Sequence, residues 1–294
     1  MRTRKATQVI TRDVEASAVA DLALSHPRAA LAATVDDEIL VLPVSVTLEG
    51  PVDPASSPRI VQVSAGNPDL AGRNVVVIVD DGPQWFRLRS LTVRGVAEAV
   101  GGCTYRVVPE RIVAWDYGSL REAPTSPETS TSRMASFSVA ADTDEVQPFH
   151  SPNLEAALRS SRVMILASRS RKGTPFAVPL WFVHHHGRIY TTTSASSWTV
   201  HNVAAAPQVA LLLGGEGRDT AGRLLVRGYA RAVRGIPPLT VLARIAWRYY
   251  LHPQFAAVEL SHVRQWALRV RYYSQSQAAF VVITPQAATE SRMP

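Results

Sequence analysis

Two stretches of the chain repeat one another: residues 91–102 read LTVRGVAEAVGG, and residues 224–235, lying 133 positions later, read LLVRGYARAVRG. Each alternates apolar and polar residues about a shared Val-Arg-Gly. That is the period-2 pattern of a half-buried strand, with the glycine marking a bulge or a close backbone approach. The flanks repeat as well. Segments 29–34, 40–48, 60–63 and 75–79 precede the first copy, and 163–168, 176–183, 189–193 and 209–213 precede the second, in the same order and at similar spacing. The sequence therefore predicts one domain written twice.

A chain of 294 residues, 46% hydrophobic and 19% charged, is long enough for two globular cores. No apolar run approaches the roughly 20 residues of a membrane helix. Asp13, Glu15 and Asp21 interrupt the apolar core that a signal peptide would need, so a cytoplasmic location is expected. Cys103 is the only cysteine, which excludes intramolecular disulfides and cysteine-based metal clusters; its place at a strand end predicts a small packed residue. The net charge of +7 is unevenly shared. Residues 1–145 carry 14 Lys/Arg against 19 Asp/Glu, a balance of −5, and residues 146–294 carry 17 against 5, a balance of +12. A basic second half is compatible with an anionic small ligand, with nucleic acid or with solubility alone.

The pattern divides into a first domain over 1–121, a Ser/Thr/Pro-rich linker over 122–153 and a second domain over 154–294. In the first, a helical face is expected over 13–26, a strand carrying Pro43, one helical turn from Asp69, and strands at 85–88, 105–108 and 111–115. In the second, Asn153 is expected to cap a helix over 154–159. Apolar spacing near 239–274 predicts a helical insertion absent from the first copy, and 278–284 closes the sheet. Many short strands with Gly/Pro turns argue for barrels over a parallel sheet. His184, His185 and His186 precede Gly187. Consecutive strand residues point to opposite faces, so a solvent-exposed hairpin is expected there and no metal site.

The segments GTPFAVPLWFVHHHGRIYTTT, SSWTVHNVAAAPQVALLL and LLVRGYARAV of the second half resemble the flavin-binding split β-barrels of the pyridoxamine 5′-phosphate oxidase-like group. PRAALAATV, NPDLAGRNVVVIV, LTVRGVAEAV and YRVVPERIVAWDYG of the first half follow the same pattern. The resemblance implies two tandem six-stranded Greek-key split β-barrels, mainly β with accessory helices. They would form an intrachain pseudo-dimer, open to further homodimerisation, with the cofactor in the groove between them. It implies FMN, or alternatively a deazaflavin coenzyme or haem. Ser197, Thr199, His201 and Asn202 would hold the phosphate, Pro179, Trp181, Thr192 and Thr193 would surround the ring, and Arg227 would neutralise charge. The family's usual lysine or arginine is replaced by Thr199, and the corresponding loop of the first copy carries Asp69 instead.

The function implied is a flavin- or deazaflavin-dependent oxidoreduction of a small organic substrate. No nucleophile-base-acid triad, paired carboxylates or phosphate loop stands out, and no catalytic residue is assigned. The rival reading is a non-enzymatic ligand-binding or haem-binding barrel that has lost the flavin. Aromatic-basic clusters at 247–250 and 269–273 read as helical core with a basic edge in preference to a nucleic-acid surface.

Overall fold

The structure, a computed structural model, describes residues 11–13, 28–49, 60–65, 70–81, 89–116, 146–214, 223–251 and 278–291. The first copy is built from β1 (Thr11–Asp13), β2 (Arg28–Val35), β3 (Glu38–Glu49), β4 (Ile60–Ala65), β5 (Asn74–Asp80), β6 (Arg89–Gly101) and β7 (Thr104–Asp116). Pairing runs β7-β4-β3-β2-β5-β6, and β6 returns to β7, so the sheet closes; β1 adds to β7. Three hairpin-connected strands with the fourth lying back beside the first make the β4-β3-β2-β5 portion a Greek key.

The second copy begins with α1 (Pro152–Ser160) and continues through β8 (Val163–Arg169), β9 (Pro175–Trp181), β10 (Val183–His185) and β11 (Arg188–Ser194). Then follow α2 (Trp198–Ala205), β12 (Gln208–Leu213), β13 (Arg223–Arg234), α3 (Leu239–Ile245), a π-helical turn over Ala246–Leu251, and β14 (Ala278–Ser291). The strand order β10-β11-β14-β13-β12-β8-β9 is that of the first copy. Its two ends are one strand broken at Phe182: β9 pairs with β8 and β10 with β11, as the two parts of β3 pair with β2 and β4.

The repeated Arg-Gly marks the same device twice. Between Arg94 and Gly95 the register against β7 slips past Glu110, and between Arg227 and Gly228 the register against β14 slips past Gln286. Each glycine faces a proline, Pro109 or Pro285, which has no N–H to give the ladder. A Cβ on Gly228 would stand 2.6 Å from the Thr284 carbonyl oxygen, and one on Gly95 would collide with that of Val108. The glycine is therefore both bulge and close approach.

The continuous apolar runs have a structural cause. In β2, Ala29, Leu31 and Ala33 face the first barrel's interior while Ala30 and Ala32 face the other copy; β5, β8 and β12 divide in the same way. Strands buried on both faces read as unbroken apolar runs. The layer between the copies joins Ala30, Ala32, Val41, Val76 and Ile78 to their pseudo-equivalents Ile165, Ala167, Ala177, Ala210 and Leu212. The same patch from each copy forms the contact, which is the isologous pattern of a two-fold dimer held within one chain. Polar ties close its edge. Arg28 is fully buried, pairs with Asp80 (Nε to Oδ2, 3.1 Å) and donates to the Val163 carbonyl at 2.7 Å, while Arg223 donates to that of Ala29 at 3.1 Å. Burial first, and the neighbouring Arg28 second, lower the Arg223 pKa; Asp80 opposes them.

Several expectations are revised. Ser151, not Asn153, caps α1, its Oγ accepting from Leu154 N at 3.1 Å, whereas Asn153 donates to Glu290 Oε1 at 2.7 Å. The strands expected at 105–108 and 111–115 are one, β7, bent at its bulge. Cys103 is exposed in the β6–β7 turn. His184 and His185 are half-buried on β10, with His186 at φ 48 in the hairpin. The helix expected over 13–26 lies outside the described residues beyond Asp13, which is in β1. Asp69, the strand at 85–88, most of the linker and the insertion after Leu251 lie outside them too, while residues 70–72 form the turn expected from Asp69, with Arg73 N donating to the Leu70 carbonyl at 3.1 Å. Among the described residues no helix is long and apolar enough to cross a membrane.

Candidate functional site

The outer face of the second sheet holds the residues of interest. On β9 the inward positions are Phe176, Val178 and Leu180, so Ala177, Pro179 and Trp181 point outward. Ala177 lies in the layer between the copies and Pro179 is buried just beyond it. Trp181, at the far end, meets the insertion. Its ring stacks on Tyr249 at 4.4 Å between centroids and 6° between planes, and Tyr250 packs edge-on at 6.2 Å. Tyr249 is wholly buried, in a cluster with Val183 and Val241. Its hydroxyl accepts from Phe182 N at 2.9 Å and has the carbonyl oxygens of Phe182 and Arg162 at 2.6 and 2.7 Å, one of which receives its single proton.

On β11, Thr192 is exposed on the outer face, while Thr191 and Thr193 fall on the side of Ile189, a barrel-core residue. The Thr191 hydroxyl is buried there with no hydrogen-bond partner. Ser197 opens α2 as its N-cap, Oγ accepting from Val200 N at 3.3 Å. Thr199 is buried, and Asn202, also buried, donates to Ser168 Oγ at 3.3 Å, tying the helix to β8. His201 lies beside the exposed Trp198, ring centroids 6.2 Å apart. Arg227, on the outer face of β13, is ion-paired with Glu38 of the first copy at 3.0 Å. Its counterpart Arg94 lies over the Phe176 ring of the second, 5.8 Å from the centroid. The two repeat-strand arginines thus reach reciprocally across the seam.

This arrangement tests the implied cofactor. A flavin phosphate at the start of α2 needs donors and a cation. Ser197 Oγ accepts from Val200 N and keeps its own proton to donate, the Asn202 amide is turned to Ser168, and α2 carries no lysine or arginine. A ring beside Trp181 needs an open indole face, and Tyr249 is stacked there, anchored by backbone hydrogen bonds. A flavin in the implied pose would meet Tyr249 on one face of Trp181 and no lysine or arginine on α2.

A different feature lies beside the seam. Arg169, Ser170, Arg171, Ala205, Ala206, Pro207, Gln208 and Tyr229 line a cleft of about 290 Å³ where the end of β8, the end of α2 and the outer face of β13 meet. Arg169 ends the outward series Ile165, Ala167, Arg169; its NH1 approaches Asp37 of the first copy at 3.3 Å, and its Nε is buried without a partner. Sequence reasoning missed this cleft, although the same alternation that placed Ile165 and Ala167 in the seam also places Arg169 on its edge.

Residues 151–276 match the family model described as pyridoxamine 5′-phosphate oxidase. The second half is a pyridoxamine 5′-phosphate oxidase-like domain. The first half repeats that domain's strand order and bulge, as a tandem duplication would. Similar solved structures include the haem storage protein HutZ from Vibrio cholerae, 17% identical over 47% of this chain and 92% of that one, with a TM-score of 0.36. A putative pyridoxamine 5′-phosphate oxidase from Listeria innocua is 18% identical over 47% and 94%, with a TM-score of 0.32. An F420 reductase is 18% identical over 46% and 94%, with a TM-score of 0.31. None of the curated proteins matches the chain.

Proposed function

We propose that the chain is a small-molecule-binding split-barrel protein in which the flavin position has been filled by protein, in preference to a flavin- or deazaflavin-dependent oxidoreductase. The carrying observation is Tyr249: fully buried, stacked on Trp181 and hydrogen-bonded to Phe182 N, it covers a face of an aromatic residue that the resemblance places beside the ring. Thr199, buried in place of a cation, supports the same reading from the phosphate side.

The test is an absorption spectrum of the purified chain, with mass analysis of what it releases on denaturation, followed by titration with FMN and with a deazaflavin coenzyme. A colourless protein that quenches neither cofactor's fluorescence is the expected result. Stoichiometric flavin, weakened by Asn202→Ala, would overturn the reading and restore the oxidoreductase. A Soret band would identify haem.

A further inference from the structure

We infer that the cleft lined by Arg169, Arg171, Gln208 and Tyr229 binds a compact oxyanion, the phosphate or carboxylate group of a small molecule, with Asp37 of the first copy as its built-in competitor; this rests on the reading of the chain as a ligand-binding barrel.

The lining is rich in donors. Arg169 presents a buried Nε–H that no protein acceptor satisfies, Arg171 adds a second guanidinium from the β8–β9 hairpin, and Gln208 and Tyr229 add an amide and a phenol. Among the described residues no acidic side chain lines the cleft. A guanidinium offers two parallel donors to one carboxylate or phosphate, and an unsatisfied buried donor is what such an anion would pair. The hairpin is firm: Ser170 and Gly173 close it backbone to backbone at 2.9 Å, and Ser170 Oγ accepts from Lys172 N and Thr174 N.

The barrel does not dictate these residues. At the equivalent register positions the first copy has Thr34 for Arg169, Asn74 for Gln208 and Val96 for Tyr229, in the same strands with the same pairings. The fold is satisfied by either set; only the second set recognises an anion. The acid nearby comes from the other copy. Its β2–β3 turn holds Asp36 and Asp37 at positive φ (49° and 63°), and Asp37 reaches Arg169 NH1, an exposed contact on the carboxylate side. An incoming anion would compete with that contact for the Arg169 guanidinium.

The experiment titrates the full-length protein at constant ionic strength, separately with inorganic phosphate and with succinate, following the arginine Nε–H resonances by NMR. Arg169→Lys assigns the signal. Saturable movement of the Arg169 resonance is expected with one or both probes, and which probe acts names the ligand class. Arg171→Gln should weaken binding about fivefold, and Asp37→Asn should tighten it about threefold, since a weak exposed ion pair is removed. Absence of saturable movement with either probe, or affinity unchanged in both variants, overturns the inference. The absorption spectrum reports on the underlying reading independently: a protein that carries flavin refutes that reading, whereas a colourless protein that binds neither anion refutes only the cleft.

Discussion

At the residue scale the second domain is distinguished by Tyr249. A buried phenol is tolerated only if its hydroxyl is paired, and here it meets Phe182 at the break between β9 and β10, where the ladder is interrupted and an N–H needs an acceptor. The insertion therefore completes the barrel's hydrogen bonding as well as covering Trp181. Tyr249→Phe leaves the Phe182 amide buried and unpaired, and is expected to cost about 1–3 kcal/mol. A lowered denaturation midpoint with an unchanged denaturant slope would show it. His184 makes the second residue-scale prediction. Its Nδ1 is buried without a partner, and burial first, then Arg248, Arg244 and Arg159, hold its pKa below 6.5, with Glu155 opposing. The folded state then resists a proton that the unfolded chain accepts, so stability is lost as pH falls through the unfolded value towards the folded one. Between about pH 7.5 and 5.5 the melting temperature should fall, and less steeply in His184→Gln.

At the scale of elements, the paired bulges are the repeat's physical content. Two long strands per barrel, β6 with β7 and β13 with β14, must bend to close, and each bends where Arg-Gly faces Pro-x. Gly228→Ala places a Cβ 2.6 Å from a backbone oxygen that no rotamer change can move. It should cost about 1–3 kcal/mol, as overpacking does, and speed amide exchange along the β13–β14 ladder. Gly95→Ala should act alike on β6–β7. This much was legible, because the glycine, the alternation and the apolar runs are local signals with one structural solution. The Pro-x half of the device, Pro109-Glu110 and Pro285-Gln286, is harder to see: the strands expected at 105–108 and 111–115 leave Glu110 between them because a bulge breaks the period without ending the strand. The cap of α1 lies two residues before the expected Asn153 because Ser151 and Asn153 are both good caps and only the fold decides between them. Tyr249 lay beyond sequence reasoning for a deeper reason. Helical spacing says that an aromatic is buried, not which strand it covers, and the same holds for Arg169, whose outward direction was legible but whose cleft requires the end of α2.

At the scale of the whole molecule, the layer between the copies makes the two barrels one thermodynamic object. It contains chiefly alanine and aliphatic side chains, and small residues at Ala30, Ala32, Ala167, Ala177 and Ala210 let the two sheets approach closely. Arg28, buried with Asp80 and bonded to the Val163 carbonyl, adds a polar tie that also depends on the two copies being apposed. A charge placed in this layer has no partner and no room. Ala167→Glu is therefore expected to destabilise the protein by about 3–5 kcal/mol, the scale of an uncompensated buried charge. Ala32→Glu, its pseudo-equivalent, should cost a similar amount because the patch is the same on both sides. The consequence for cooperativity is more telling than the magnitude. With the layer intact, neither barrel unfolds without exposing the other's face, and calorimetry should show a single transition; with Ala167→Glu the copies lose that mutual dependence and should melt in two steps. Two transitions in the unmodified chain would mean that the layer does not couple the copies, and that each barrel buries enough of its own core to stand apart.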